Sequence, residues 1–455
     1  MSASDAPATG RQLDRRILAL AVPAVGALLA DPLLGVVDTA VAGRVSVTAL
    51  GALGLGTALL GAGTWVFNFL VYGTTSAVAR AIGAGRDDLA GRRVVHATAV
   101  AIGLGLVVAA VVGLFAEPIV RLSGAVDELV EPTATYLRVR AVGLPFVLVA
   151  MVGHGAFRGV EDTRTPLVVV VVANVINATL DIMLVVLGDA GLAGIAWATV
   201  AAEVTAVVML GVLIRRTGLT LSGHGLPTRA EALELLRVSR DVVLRTGGLV
   251  GGLLLIAAAA ARVDAATAAA HQVLYQVFIF SAFLQDSLAV AGQALIGTAI
   301  GRDDDAYALR LTRRLLGWGG GLALTTAALL LALGGTLPRV LSDDASVLAV
   351  VGTAWAIGAL VQLPGGVAFV LDGVLMGAED WAYLRTWTLV AAVGAGLAAQ
   401  VVPSLGGGLP ALWWCVVGMM VVRAGSLLWR VRGDGWLDPT GRRSATSVPA
   451  AESPT

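Results

Sequence analysis

Lysine is absent from this chain of 455 residues, so all 31 basic residues are Arg, set against 31 acids. That excludes a Walker-type ATP loop, a Schiff-base Lys and a Lys general base. The single cysteine, Cys415, permits neither an intramolecular disulfide nor a thiolate zinc cage. Four histidines (His96, His154, His224, His271) are scattered, with no HxxxH pair, and no cofactor is expected. Charge is scarce at 14% of residues, against about 25% in a soluble domain. A zero net charge argues against a nucleic-acid partner, which needs a basic patch. Apolar residues, by contrast, make up 57% of the chain, and the mean hydropathy is +0.86. Too little charge remains to coat a large soluble core, so the composition is that of an integral membrane protein in a lipid bilayer.

A helix needs about 20 apolar residues to cross the hydrocarbon. Twelve such stretches are expected, at 17–42, 49–79, 94–116, 133–157, 165–187, 191–214, 241–261, 266–297, 315–337, 345–375, 384–402 and 409–430. The first follows Arg11, Arg15 and Arg16 without a cleavage site, and so reads as an uncleaved span. The expected organisation is a cytoplasmic segment 1–16, a six-helix bundle 17–214, a cytoplasmic linker 215–240, a second six-helix bundle 241–430 and a disordered cytoplasmic tail 431–455. Within the linker, Pro227 precedes an amphipathic stretch, Ala230–Val238. With the N-terminus inside, 25 of the 31 Arg are counted to cytoplasmic segments. Arg44, Arg121, Arg138, Arg140, Arg262 and Arg339 go to the other side. This bias places both termini in the cytoplasm.

The two halves repeat each other. Ala81-Ile82-Gly83 matches Ala299-Ile300-Gly301, and Gly155-x-x-x-Gly159-x-Glu161-Asp162 matches Gly373-x-x-x-Gly377-x-Glu379-Asp380, both at an offset of 218 residues. Leu144-Pro145 and Leu363-Pro364 agree after one residue of slippage. Duplicated bundles with a path between them are a transporter plan. The overlapping GxxxG pairs Gly247, Gly248, Gly251 and Gly252 read as a close helix contact.

Ionisable groups at membrane depth are costly and mark function. In the first span Asp31 and Asp38 lie seven residues apart, on one face, with Pro32 as a hinge between them. In the fifth, Asn174, Asn177 and Asp181 form one stripe, and the sixth adds Thr199 and Glu203 one turn apart. Such oxygens suit a hard cation, and a buried carboxylate suits a proton. The second half offers Gln285 and Asp286, the latter 218 residues after Asn68. His154 and His271 are read as structural or interfacial.

These features together resemble the multidrug and toxic compound extrusion (MATE) transporters. The resemblance rests on twelve spans in two halves, Pro23 with Val37-Asp38-Thr39, Arg158-Gly159-x-Glu161-Asp162-Thr163-Arg164-Thr165-Pro166, and Asn177-x-x-x-Asp181. Asp31-Pro32-Leu33-Leu34 and Gln285-Asp286-Ser287-Leu288-Ala289-Val290-Ala291-Gly292-Gln293-Ala294-Leu295-Ile296-Gly297 are similar to the DinF-type branch. The likeness covers roughly residues 15–430. It implies an all-α fold of twelve transmembrane helices in two pseudo-symmetric bundles that alternate between two V-shaped states. It further implies an antiporter, acting as a monomer, that exports small organic compounds, often cationic or amphipathic, in exchange for H+ or Na+. Asp38 matches the acidic residue of the family's first helix, whose protonation is coupled to bending. Asp181, Asn177 and Thr199 match the cation cluster of the same lobe, which with Asp38 would hold sodium. No polar partner from the fourth helix is evident at Met151 and Val152, with His154 a possible substitute, and Glu203 departs from the uncharged residue expected there.

The competing reading is a lipid or lipid-linked oligosaccharide flippase of the same superfamily. It calls for several basic residues along the cavity, where the sequence offers only Arg138 and Arg140 near a span. An intramembrane enzyme lacks a zinc pattern or nucleophile constellation. A channel fits poorly with two halves and a bending acidic helix.

Overall fold

The structure, a computed structural model, describes residues 10–219, 221 and 228–439, and no strand occurs among them. Backbone amides and carbonyls have no water to bond in hydrocarbon, so an apolar chain must satisfy them within helices. Twelve membrane-length helices result: α1 (Gly10–Val45), α2 (Val47–Gly83), α3 (Asp87–Leu114), α4 (Asp127–Gly159), α5 (Arg164–Leu187), α6 (Gly191–Thr217), α7 (Arg229–Val263), α8 (Ala265–Gly301), α9 (Asp305–Ala332), α10 (Ala345–Leu360 and Gln362–Gly377), α11 (Trp381–Leu405) and α12 (Leu409–Arg432). Helix α10 is a pair of shorter helices bent by 44° at a break, and the count of twelve among the described residues takes the pair as one span. The bend falls just before Pro364, whose ring cannot sit against the carbonyl of Leu360 in a regular helix. The corresponding Leu144-Pro145 of α4 lies within an unbroken helix.

The helices form two bundles, α1–α6 and α7–α12. In the first, α3 and α6 pack on α4, and α5 packs on α6 and α1. In the second, α7 packs on α11 and α8 on α10. A Cβ on Gly248 would stand 2.3 Å from the Leu389 side chain, and one on Gly252 2.4 Å from the Ala392 carbonyl. These two glycines of the GxxxG set are therefore the seam with α11, whereas Gly247 and Gly251 face open space.

Apolar packing is split three ways. One buried cluster, from Val41 to Ala196, belongs to the first bundle, and another, from Leu253 to Ala424, to the second. A third draws on both bundles, uniting Ile17, Val78 and Phe157 with Leu295, Leu311 and Val374. The bundles thus share a core at one end and keep separate cores at the other. At the shared end Gly83 and Gly301 meet reciprocally: a Cβ on Gly83 would lie 2.2 Å from the Thr298 carbonyl, and one on Gly301 2.2 Å from the Arg80 carbonyl.

The repeat is visible in these contacts. Gly155 abuts the Val71 carbonyl and Gly373 that of Ala289, while Gly159 abuts the Thr75 carbonyl and Gly377 that of Gln293. Each pair of partners is again 218 residues apart. Glu161 and Glu379 end the equivalent helices in the same left-handed conformation, both at φ 61°.

Two expectations fall partly outside the described residues. Those are most of the 1–16 segment, and the part of the linker containing His224 and Pro227; Ala230–Val238 is helical, within the first turns of α7. The expected tail, 431–455, is not loose at its start. Trp436 is fully buried and Leu437 nearly so, both in the shared core. A lone Trp among Gly and Asp has no periodicity to reveal this. Residues 440–455 lie outside the described residues.

Candidate functional site

Two polar sites differ in composition. The first lies within the first bundle. Asp38 on α1 is buried, and Asn177 and Asp181 on α5 are wholly so. The carboxyl groups of Asp38 and Asp181 face each other within hydrogen-bonding range. No donor reaches either oxygen of Asp181 or Oδ1 of Asp38, and both polar atoms of the Asn177 side chain are unpartnered. Directly after Asp181 the chain widens into a π-helical turn, Ile182–Leu187. Such turns recur at functional sites because they release backbone groups from the regular ladder.

The other expected residues of this set are placed differently. The Thr199 hydroxyl donates to the Ile195 carbonyl of its own helix (2.9 Å) and to no member of the cluster. Glu203 is ion-paired with Arg140 at 2.7 Å, and its carboxylate packs so tightly on α4 that a Cβ on Gly143 would meet Oε2 at 2.0 Å. Glu203 is therefore a neutralised acid rather than a free member of the acid cluster, and Arg140 is a buried partner rather than a topology signal. Asp31 is in different surroundings from Asp38. It is exposed to a central cavity, whereas Asp38 is buried toward α5. Seven residues fall only about 20° short of two helical turns, which keeps the two acids on one side of α1 with Pro32 between them. Asn174 donates to the Ala30 carbonyl (3.0 Å), tying α5 to α1 beside Pro32.

The second site is that central cavity, about 720 Å³, between the bundles. Asp31, Arg158, Arg245, Asp286 and Arg423 line it, among aromatic side chains such as Tyr275, Phe278 and Phe369. His154 also lines it, and so does not supply the missing partner to Asp38. Gln285 donates to Gln362 (2.8 Å), a buried pair joining α8 to α10. Behind the cavity Asp372 accepts from both Arg245 (2.5 Å) and Arg423, on the same oxygen.

Asp372 was not singled out by sequence, although the repeat offset of 218 pairs it with His154. Arg158, Arg245 and Arg423, near span ends and within the cytoplasmic count of the sequence, all border the cavity. The premise that only Arg138 and Arg140 supply basic residues near the path is thereby corrected.

At the shared end, side chains add to the junction. Gln293 donates to the Tyr72 carbonyl (2.7 Å) and Ser76 to the Met376 carbonyl (2.7 Å). Arg80 pairs with Glu379 at 3.3 Å, while Arg16 bonds both Glu161 (2.5 Å) and Tyr307 (2.8 Å). The path is closed there.

Residues 23–183 and 249–402 match the MatE family model. The chain belongs to this family. It is a multi-pass membrane transporter and not an enzyme. It is similar to DNA damage-inducible protein F of Escherichia coli (strain K12), with 30% identity over 429 residues covering 92% of each chain. It is also similar to Protein DETOXIFICATION 44, chloroplastic, of Arabidopsis thaliana, with 30% identity over 93% of this chain and 83% of that one. The fold matches a crystal structure of MATE in the bent conformation with a TM-score of 0.86 at 18% identity, over 97% of this chain and all of the other. The sequence-based expectations of family and of two six-helix bundles therefore hold.

Proposed function

We propose that this MatE transporter is a secondary antiporter that exports amphipathic organic compounds across the cytoplasmic membrane in exchange for protons, with both termini in the cytoplasm. The observation that carries the reading is the facing pair Asp38 and Asp181, buried and without a donor. Two carboxylates at that range repel unless a proton or cation lies between them. A proton taken from outside relieves the repulsion and the desolvation cost of closing the lobe. Loss of that proton on the inner side restores the repulsion and resets α1, with Pro32 as the hinge. Each proton crossing about 100 mV contributes roughly 2.3 kcal/mol, enough for about fifty-fold accumulation of a neutral substrate. Sodium is the alternative ion, for which Asp38, Asn177, Asp181 and Thr199 supply oxygens.

A lipid-linked oligosaccharide flippase fits less well. Its pyrophosphate needs a strong excess of basic charge, and here three Arg stand against Asp31, Asp286 and Asp372. The test is efflux of a fluorescent amphipath from liposomes holding the full chain, with pH and sodium gradients imposed separately. Transport is expected under the pH gradient alone. Transport driven only by sodium at equal pH would contradict the proton assignment, and transport indifferent to both would contradict antiport.

A further inference from the structure

The closed end carries a fastening that the duplication does not account for. On α9, Tyr307, Leu311, Arg314, Leu315 and Trp318 recur at helical spacing and form one stripe. Leu311 and Leu315 are fully buried, in the same shared core as Leu13 and Ile17 of α1. The polar members of the stripe bond the first turns of α1. Arg314 donates to both oxygens of Asp14, through Nε to Oδ1 at 2.5 Å and through Nη2 to Oδ2. Trp318 donates its indole N–H to the same Oδ1 at 2.8 Å. Two residues on, Arg16 donates to the Tyr307 hydroxyl. Further along α1, Thr163 donates to the Leu20 carbonyl (2.8 Å) and Asn174 to that of Ala30, which ties the helix to its own bundle. The first turns of α1 therefore reach across the junction to the other bundle.

The repeat supplies no counterpart by residue type. The residues 218 after Asp14 and Arg16 are Ala232 and Glu234, and those 218 before Tyr307, Arg314 and Trp318 are Leu89, His96 and Val100. The junction glycines are duplicated, whereas this ion pair and indole bond are not. They serve something other than the helix packing that both halves need. The pair is also built to open. The side chain of Arg314 is 48% exposed and that of Asp14 20%, so water can take over their bonds, unlike those of the buried Asp372. A two-pronged guanidinium–carboxylate contact with a third donor is nevertheless stronger than a simple surface pair.

We infer that Asp14, Arg314 and Trp318, with Arg16 and Tyr307, form a latch that holds the path shut at this end and releases each time the path opens there. This rests on the antiport reading above, with the termini in the cytoplasm, and adds to it the contact that opposes inward opening. Separation of the bundles at this end draws α9 away from the first turns of α1. Both prongs of Arg314 and the indole bond then break together.

The test uses the full chain in inside-out membrane vesicles, with Cys415→Ser removing the native thiol and Val71→Cys placing one in the central cavity. A membrane-impermeant maleimide added outside these vesicles reaches that thiol through the latched end. Slow labelling is expected with the latch intact. Asp14→Asn and Arg314→Gln are each expected to raise the rate about threefold to fivefold, and Trp318→Phe to raise it less. Asp14→Arg combined with Arg314→Asp restores an ion pair of reversed polarity and is expected to return the rate toward that of the intact latch, which a general loosening of the fold cannot do. Unchanged rates in the single variants, or a reversed pair that labels as fast as Asp14→Arg or Arg314→Asp alone, would overturn the inference. Labelling that follows the latch in a chain that exports without an ion gradient would defeat only the antiport reading. Proton-coupled export by a chain whose labelling ignores the latch would defeat only this inference.

Discussion

The two bundles share a packing code but carry opposite electrostatics. Gly155 and Gly373, Gly159 and Gly377, and Glu161 and Glu379 keep equivalent contacts or backbone conformations across the repeat. In the first bundle, two buried acids face each other, and the nearby Arg140 is paired with Glu203 rather than with either of them. In the second, one buried acid accepts from two Arg on a single oxygen. Duplication has therefore preserved what brings helices together while the charged groups diverged. An acid pair without donors can take up and release a proton, whereas an acid bonded by two Arg ties helices together and serves as structure.

The largest effect should come from removing that clamp. Asp372→Asn leaves two adjacent guanidinium groups buried without the acid that bonds them both, expected to destabilise by about 3–5 kcal/mol, read as a lowered midpoint of thermal unfolding in detergent. The matching change in the first bundle should behave oppositely. Asp38→Asn or Asp181→Asn removes repulsion rather than attraction, so the protein should remain as stable as wild type while losing the roughly fifty-fold concentrative export per proton at about 100 mV. A stability loss in the Asp38 and Asp181 variants equal to that of Asp372→Asn would erase the contrast between the bundles.

How much of this was legible beforehand follows from which signals are local. Spans, the repeat and Asn177-x-x-x-Asp181 lie within single helices and are visible as composition or spacing. The pairing of Glu203 with Arg140, and of Asp372 with Arg245 and Arg423, joins residues 63, 127 and 51 positions apart. No one-dimensional pattern marks such partners. Arg158, Arg245 and Arg423 were concealed because an Arg near a span end carries the same local signature whether it meets lipid head groups or turns inward. The cavity charge was therefore missed where the acid cluster was found.

Smaller changes sharpen the likeness between the bundles. Gly83→Ala and Gly301→Ala each drive a Cβ against a backbone carbonyl of the other bundle, and each is expected to cost about 1–3 kcal/mol. Because the contact is reciprocal, the two should have nearly equal effects on thermal unfolding; a large difference would show that the junction is less symmetric than its geometry. The least effect is expected within α7, where Gly247→Ala enters open space and Gly252→Ala meets the Ala392 carbonyl. Only the second should lower the unfolding midpoint.

The central claim is that ion coupling resides in the first bundle. It is tested most directly by counting protons with a pH-sensitive dye inside liposomes as substrate is exported, comparing wild type with Asp38→Asn, Asp181→Asn and Asp286→Asn. The account predicts stoichiometric proton exchange in wild type and in Asp286→Asn, and none in Asp38→Asn or Asp181→Asn. Proton exchange that survives both first-bundle changes and disappears with Asp286→Asn would contradict it.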